Sequence, residues 1–180
     1  RCTGFNATHD LNKKGISDDL LFKIIDLLRP HGEVLISSER ELPPEILKHE
    51  LNINKGDINH YMYYADLFIS DSTTMSSEAA VLGTPSIEFD EYFHEIDQMK
   101  ELEDKYQLIH CFNTSEEESF LKKISSLVLD KDLSKKYEDR RNVFLKDVID
   151  LSAFLTWFYE NYPKSFTQFL NNPDIQKKFQ

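Results

Sequence analysis

The sequence is poor in cysteine, in positive charge and in long apolar runs, and each shortage excludes a class of protein. Its two cysteines, Cys2 and Cys111, lie in apolar strand-like segments without the closely spaced histidines of a zinc site. Lysine and arginine number 21 against 32 acidic residues, and the net charge of -11 argues against a nonspecific nucleic-acid binder. No apolar run approaches the length of a membrane span, and no segment resembles a signal peptide. We therefore expect a soluble cytoplasmic protein with buried, reduced thiols.

Strand-like and helix-like segments alternate through the first two-thirds of the chain. This alternation predicts an α/β fold with a parallel sheet covered by helices on both sides. Beyond residue 115 the pattern is helical only, with segments at 116–129, 133–147, 150–162, 166–170 and 174–179. The predicted strands are 1–5, 34–39, 51–53, 67–69, 85–89 and 108–112, and the predicted helices between them are 18–28, 43–47, 58–64, 73–82 and 95–105.

Residues 65–85 carry the most informative pattern, which is a buried strand, a hydroxyl-rich turn, a short helix and a Gly-Pro stop. Ser72, Thr73 and Thr74 place hydroxyls and free backbone N–H groups at a helix start, where the helix dipole favours a phosphate or diphosphate. Glu78 follows Thr74 by four residues, about 6 Å along the helix axis. A carboxylate there can accept hydrogen bonds from both ribose hydroxyls.

A purely structural interpretation of the same residues stays open. Thr73 or Thr74 would then be an ordinary helix N-cap. Glu78 would be an acid that interacts favourably with the positive end of the helix dipole.

The segment resembles the donor-binding element of glycosyltransferases with the GT-B fold. The likeness is greatest to the sugar-nucleotide half of UDP-N-acetylglucosamine 2-epimerase and to an archaeal and bacterial family of predicted glycosyltransferases. The epimerase pattern runs Ala-Asp, an apolar strand, Asp-Ser-Gly-Gly, a glutamate six residues after the serine, then Leu-Gly-x-Pro. The matching residues are Ser72, Glu78, Leu82, Gly83 and Pro85.

One departure from the epimerase pattern is the pair Thr73-Thr74 in place of two glycines. Two β-branched residues leave the backbone less room to approach phosphates, although they add two hydroxyl donors. The predicted-glycosyltransferase family carries a Ser-Thr-Met version of the motif, so the substitution indicates that family.

A second resemblance lies near the start of the chain. His9 and Gly15 keep the six-residue offset of the epimerase loop Thr-x-His-Arg-Arg-Glu-Asn-x-Gly. The resemblance implies that His9 is a catalytic or phosphate-contacting histidine, and Lys13 and Lys14 would add positive charge beside the same anion. The acids and arginines of the epimerase loop are replaced here by Asp10 and lysines, which makes epimerisation the weaker alternative.

The resemblance covers residues 1–112 and implies a Rossmann-like doubly wound sheet of about six strands in the order 3-2-1-4-5-6. This order brings the loop after strand 1 next to the loop after strand 4, so that both motifs face one crevice. We expect a nucleotide-sugar domain at 1–130 and an all-helical extension at 131–180, together forming the C-terminal half of a GT-B fold. Because the chain opens at Arg1 within a strand, we expect an upstream acceptor domain that this chain lacks.

The resulting hypothesis is a glycosyltransferase domain that binds a nucleotide-diphosphate sugar, most simply a UDP-sugar. It requires no metal, because helix-start donors can stabilise the leaving diphosphate, and this chain alone should bind weakly and catalyse nothing. The alternatives are a sugar-nucleotide 2-epimerase half and a non-catalytic interaction module on the same fold. The sugar, the acceptor and the oligomeric state have no signature in the sequence.

Three other features receive structural interpretations. Asp71 ends a strand like the phosphoacceptor of a receiver domain, but the acid pair and lysine of that fold are missing. The acids of residues 88–95 follow a strand on the ligand side, where contact with the sugar or acceptor stays open, and are expected to face solvent. Trp157 lies in an aromatic helix that is expected to pack against the sheet or an upstream domain rather than to stack on a ligand.

Overall fold

The computed structural model describes residues 1–4, 14–91 and 93–180, which form two compact units, Arg1–Arg141 and Asn142–Gln180. The strands are β1 (Phe68–Ser70), β2 (Ser86–Phe89) and β3 (Ile109–Phe112). The α-helices are α1 (Asp18–Leu28), α2 (Ile58–Tyr64), α3 (Thr73–Leu82), α4 (Asp97–Lys100), α5 (Glu117–Val128), α6 (Leu133–Asp147), α7 (Leu151–Glu160) and α8 (Lys164–Asn171). Short 3-10 helices cover Leu47–His49, Lys55–Asp57, Phe93–Glu95 and Pro173–Phe179, and a π-helix covers Glu101–Lys105.

The described sheet is parallel and has the order β1-β2-β3. Ile69 is paired with Ile87, and Glu88 with Cys111, so three predicted strands lie side by side as expected. The α/β class is confirmed, but this sheet has three strands instead of about six. Three further predicted strands do not form as strands: 1–5, of which residues 1–4 are described, 34–39 and 51–53. The chain makes two isolated parallel bridges in this region, Cys2 with Ser38 and Ile36 with Glu50.

The first residues of the chain lie beside β1. The α-amino group of Arg1 donates to the Ile69 carbonyl at 2.7 Å, and the Asp71 N–H donates to the Arg1 carbonyl at 3.4 Å. The Cys2 N–H donates to the Ser37 carbonyl at 2.9 Å on the other side. Residues 1–3 therefore connect β1 to the segment around Ser37.

Helix α1 begins and packs as its sequence predicts. The Ser17 hydroxyl accepts a hydrogen bond from the Leu20 N–H at 3.2 Å, which satisfies one of the free donors of the first turn. The apolar residues recur at helical spacing and form one buried face. They are Leu20, Leu21, Ile24 and Ile25.

Two other helix predictions need correction. Residues 44–46 form a turn, and the 3-10 helix Leu47–His49 follows where a short helix at 43–47 was predicted. The single helix predicted at 95–105 is broken into a 3-10 turn, α4 and a π-helix. The wider π turn closes on Tyr106, whose N–H donates to the Glu101 carbonyl, and lets Leu102 face the core.

The core of the first unit lies between the sheet and α5. Phe120 of α5 is fully buried and packs against Phe89 of β2, with ring centroids 4.5 Å apart. Phe112 of β3 meets the same ring edge-on at 5.9 Å. Cys2 and Cys111 are buried free thiols, as predicted, and burial raises the pKa of both.

The second unit is built around aromatic rings. Phe154 of α7 is its buried centre, with Trp157 at 5.9 Å, Phe169 at 5.4 Å and Phe179 at 5.6 Å between ring centroids. Trp157 is therefore a packing residue as expected, but the rings it contacts belong to its own unit and not to the sheet.

Candidate functional site

The start of α3 lies directly after β1, at the carboxyl end of the strand. Ser72 is the N-cap residue, and its side chain makes no capping bond, so neither Thr73 nor Thr74 is the cap. The Ser76 N–H donates to the Ser72 carbonyl at 2.9 Å, which is the first hydrogen bond of the helix. The N–H groups of Thr73 and Thr74 precede that bond and have no acceptor within the helix.

The predicted ligand residues of this helix are open to solvent. Thr74 and Glu78 are exposed, and Ser72 and Thr73 are half-buried. The Ser72 N–H is already used, because it donates to the Ser70 hydroxyl at 2.8 Å. The structure thus brings four of the predicted residues together on one helix, with Thr73 and Thr74 supplying its free backbone donors.

The predicted residues of the first loop are only partly described. His9 and Lys13 lie outside the described residues, and Lys14 is exposed. The two flanks of the loop are anchored to Asp71, whose carboxylate accepts from the Thr3 N–H at 2.7 Å and from the Ile16 N–H at 3.0 Å. Both flanks of the segment that contains His9 are therefore attached at the end of β1, immediately before the start of α3.

Asp71 is a structural acceptor in this arrangement. It is 2 % exposed, and the hydroxyl of Thr3 additionally donates to its backbone carbonyl at 3.3 Å. Burial raises the pKa of the Asp71 carboxyl above its ordinary value, and the bonds from Thr3 and Ile16 oppose this shift. The Asp71 carboxylate is buried and accepts hydrogen bonds from two backbone N–H groups, so it is poorly accessible as a phosphoacceptor.

The acids of residues 88–95 were expected to face solvent, but Glu88 and Asp90 are buried. Glu88 of β2 has no exposed surface. Its Oε1 lies 3.2 Å from the Thr73 hydroxyl oxygen, and its Oε2 contacts the hydroxyl of buried Ser76. Every residue of β2 is buried, because neighbouring strands and helices cover it on all sides. That position within a central parallel strand was the signal that could have found it.

The electrostatic surroundings of Glu88 favour its neutral form. Burial is the largest cause and raises the pKa of Glu88 to about 8, while the bond from Ser76 opposes this rise. Asp90 and Asp71 raise the pKa further by charge repulsion, and the hydroxyl of Thr73 lowers it. Three buried carboxyl groups therefore lie close to the helix start, where ionised acids would oppose the binding of an anion.

A large groove lies away from the predicted residues. It measures about 850 Å³ and is lined by apolar residues of α1, by Ile36, by Met62 and by β1. Phe68 and Ile69 face partly into this open space, so β1 is only half-buried, and the prediction of a strand covered on both faces is wrong. None of the residues from Ser72 to Glu78 lines the groove.

Two kinds of feature are absent from the described residues. Across 1–4, 14–91 and 93–180, no group of three or more histidine, cysteine or acidic side chains is arranged to hold a metal ion. Within the same residues, no helix combines the length and the apolarity that crossing a bilayer demands.

Comparison with known proteins adds no relative. No protein-family model, curated protein or solved structure matches the chain. The functional interpretation therefore depends on the geometry at the start of α3 and on the sequence motifs.

Proposed function

We propose that this chain is the nucleotide-sugar-binding domain of a glycosyltransferase, and that it holds the diphosphate of a UDP-sugar at the start of α3. The observation that carries the proposal is the exposed helix start directly after a parallel strand, with Glu78 one turn further along the same helix. The free N–H groups and hydroxyls of Thr73 and Thr74 would receive the diphosphate. The Glu78 carboxylate would accept from the ribose hydroxyls.

The proposal includes a six-segment sheet in the order 3-2-1-4-5-6. Hydrogen bonds of residues 1–3 to Ile69 and to Ser37, and the bridge between Ile36 and Glu50, are the contacts that this order requires. The anchoring of Thr3 and Ile16 to Asp71 supports the idea that the loop with His9 and Lys13 faces the same ligand. In this arrangement His9 and Lys14 would stabilise the leaving diphosphate, and an upstream domain would bind the acceptor.

Calorimetric titration of the chain with UDP and with uridine tests the diphosphate site. UDP should bind more tightly than uridine, and Glu78→Ala should weaken UDP binding by about 10- to 150-fold, because hydrogen bonds to a charged group contribute about 1.5–3 kcal/mol. Glu118→Ala is the control, since Glu118 is likewise an exposed glutamate on a helix, in this case in the first turn of α5. Absence of heat with UDP, or equal affinities for the Glu78→Ala variant and the unmodified chain, would contradict the proposal.

A non-catalytic interaction module is the second candidate. It is favoured by the apolar side chains that the second unit leaves exposed, among them Leu155, Tyr159, Phe166 and Leu170. This function predicts that the titrations with UDP give no heat while substitution of Phe166 and Leu170 by serine abolishes association with another protein.

A further inference from the structure

We propose that Glu88 is a positioning residue that sets the direction of the Thr73 hydroxyl, so that the site accepts a diphosphate only while Glu88 is uncharged. The inference rests on the proposed function, because it concerns the regulation of the same site. It begins from a geometric fact: one carboxyl group, with no exposed surface of its own, lies between two hydroxyls of α3.

The hydroxyl of Thr73 can act in two directions. A hydroxyl has one proton to donate and two lone pairs that accept. When Glu88 is neutral with its proton on Oε1, it donates that proton to the Thr73 oxygen, 3.2 Å away. The Thr73 proton is then free to point outward and to donate to a phosphate oxygen.

Ionisation of Glu88 reverses this arrangement. A carboxylate can only accept, so the Thr73 proton turns inward to Oε1 and the lone pairs of the hydroxyl face the site. Lone pairs repel a phosphate oxygen, and a negative charge buried beneath the helix start repels the whole diphosphate. Both effects weaken binding in the same direction.

The groups around Glu88 disfavour its charged form. Asp71 and Asp90 are negative neighbours, and the hydroxyls of Thr73 and Ser76 are the polar groups that α3 directs at the carboxyl. Burial and these acids bring the pKa of Glu88 to about 8, so the residue is neutral at pH 7 and ionises in mildly alkaline solution. Among the described residues, the titratable or charged groups that interact with Glu88 include Asp71 after β1, Asp90 after β2, Cys111 of β3 and the α-amino group of Arg1.

Proton linkage makes the idea measurable with UDP as the probe. At pH 8.5 the diphosphate is fully ionised and the uracil ring keeps most of its N3 proton, so a proton taken up on binding enters mainly the protein. Calorimetry in two buffers of different ionisation enthalpy at pH 8.5 should detect uptake of more than half a proton per UDP bound. The affinity of the unmodified chain should fall several-fold from pH 7 to pH 8.5, because Glu88 ionises over this range.

Glu88→Gln is the decisive variant, because its amide donates permanently to Thr73. Its affinity for UDP should be nearly the same at pH 7 and pH 8.5, and its proton uptake at pH 8.5 should be much smaller than that of the unmodified chain. Thr73→Val should bind weakly at every pH, and Thr73→Ser should restore both the affinity and its pH dependence. The two Thr73 variants carry the test alone if Glu88→Gln does not fold.

The outcomes separate this inference from the proposed function. Failure of the unmodified chain to bind UDP at pH 7 overturns both. Binding at pH 7 with the same pH profile in the unmodified chain and in Glu88→Gln, or in Thr73→Val, overturns the inference and leaves the proposed function intact.

Discussion

The side chain of Arg141 lies directly against Gly83, so that a β-carbon added to this glycine would be 2.7 Å from the Arg141 Cδ. Gly83 ends α3 in the left-handed conformation with φ of 90°, and the Arg141 Nε donates to the Val81 carbonyl at 2.9 Å. Gly83 thus ends α3 and also leaves space for Arg141, which donates to one of the last carbonyl groups of the helix.

Substitution Gly83→Ala should destabilise the protein by about 1–3 kcal/mol, because alanine is strained at this φ and displaces Arg141. Urea denaturation measures the free energy of unfolding. Gly32→Ala is the matched control, since no atom lies within 4 Å of its added β-carbon, and it should change stability little. Equal effects of the two substitutions would disprove the proposed role of the contact.

Asp71→Ala should lower the free energy of unfolding by about 2–4 kcal/mol. The substitution leaves the backbone N–H groups of Thr3 and Ile16 without their hydrogen-bond acceptor in the protein interior. The loss should appear as a lower denaturation midpoint in urea. Asp66→Ala removes an exposed acid just before the same strand and should have almost no effect. If the Asp71 variant were as stable as the Asp66 variant, Asp71 would not anchor the loop.

Acid should destabilise the protein through His110. Burial, aided by Lys123 and Arg140, lowers the pKa of His110 to about 4, and its Nε2 lies 3.0 Å from the Tyr137 hydroxyl. Below about pH 6.5 His110 binds a proton in the unfolded chain but not in the folded chain. Its contribution to the free energy of unfolding is therefore complete above pH 6.5 and is lost as the pH falls towards 4.

Comparison with His110→Gln isolates the effect. The free energy of unfolding of the unmodified chain should drop by up to about 3 kcal/mol more than that of the variant between pH 6.5 and pH 4. His31→Gln alters an exposed histidine and should follow the unmodified chain. If the free energy of unfolding depended on pH in the same way in all three proteins, the pKa of His110 would be the same in the folded and unfolded states.

Local patterns in the sequence were sufficient for some elements and insufficient for others. Helix α1 is predictable because a capping serine and apolar spacing both lie within the helix. The strands expected around Ile36 and at 51–53 depend on pairing between distant segments, and only isolated bridges form there, at Ile36 and Ser38 and at Glu50 just before residue 51. The break at Glu101–Lys105 has no local signature such as proline or glycine.

The candidate site was predicted in the same uneven way. Ser72, Thr73, Thr74 and Glu78 are neighbours in sequence, so a motif could find them. Glu88 meets Thr73 only because β2 lies beside β1 and under α3, and a lone glutamate between apolar residues gives no sign of its partners. Long-range packing, which no short motif encodes, decided which acid faces the interior.

The attachment of Thr3 and Ile16 to the single carboxylate of Asp71 has a consequence for how this protein can diversify. With both flanks fixed, insertions between them need not disturb the sheet, and doubling the length of such a loop costs only about 0.6 kcal/mol in closure entropy. Insertions in this stretch should therefore leave the fold intact, provided that the aspartate beneath it is kept, whereas the proposed function still requires His9, Lys13 and Lys14 within it.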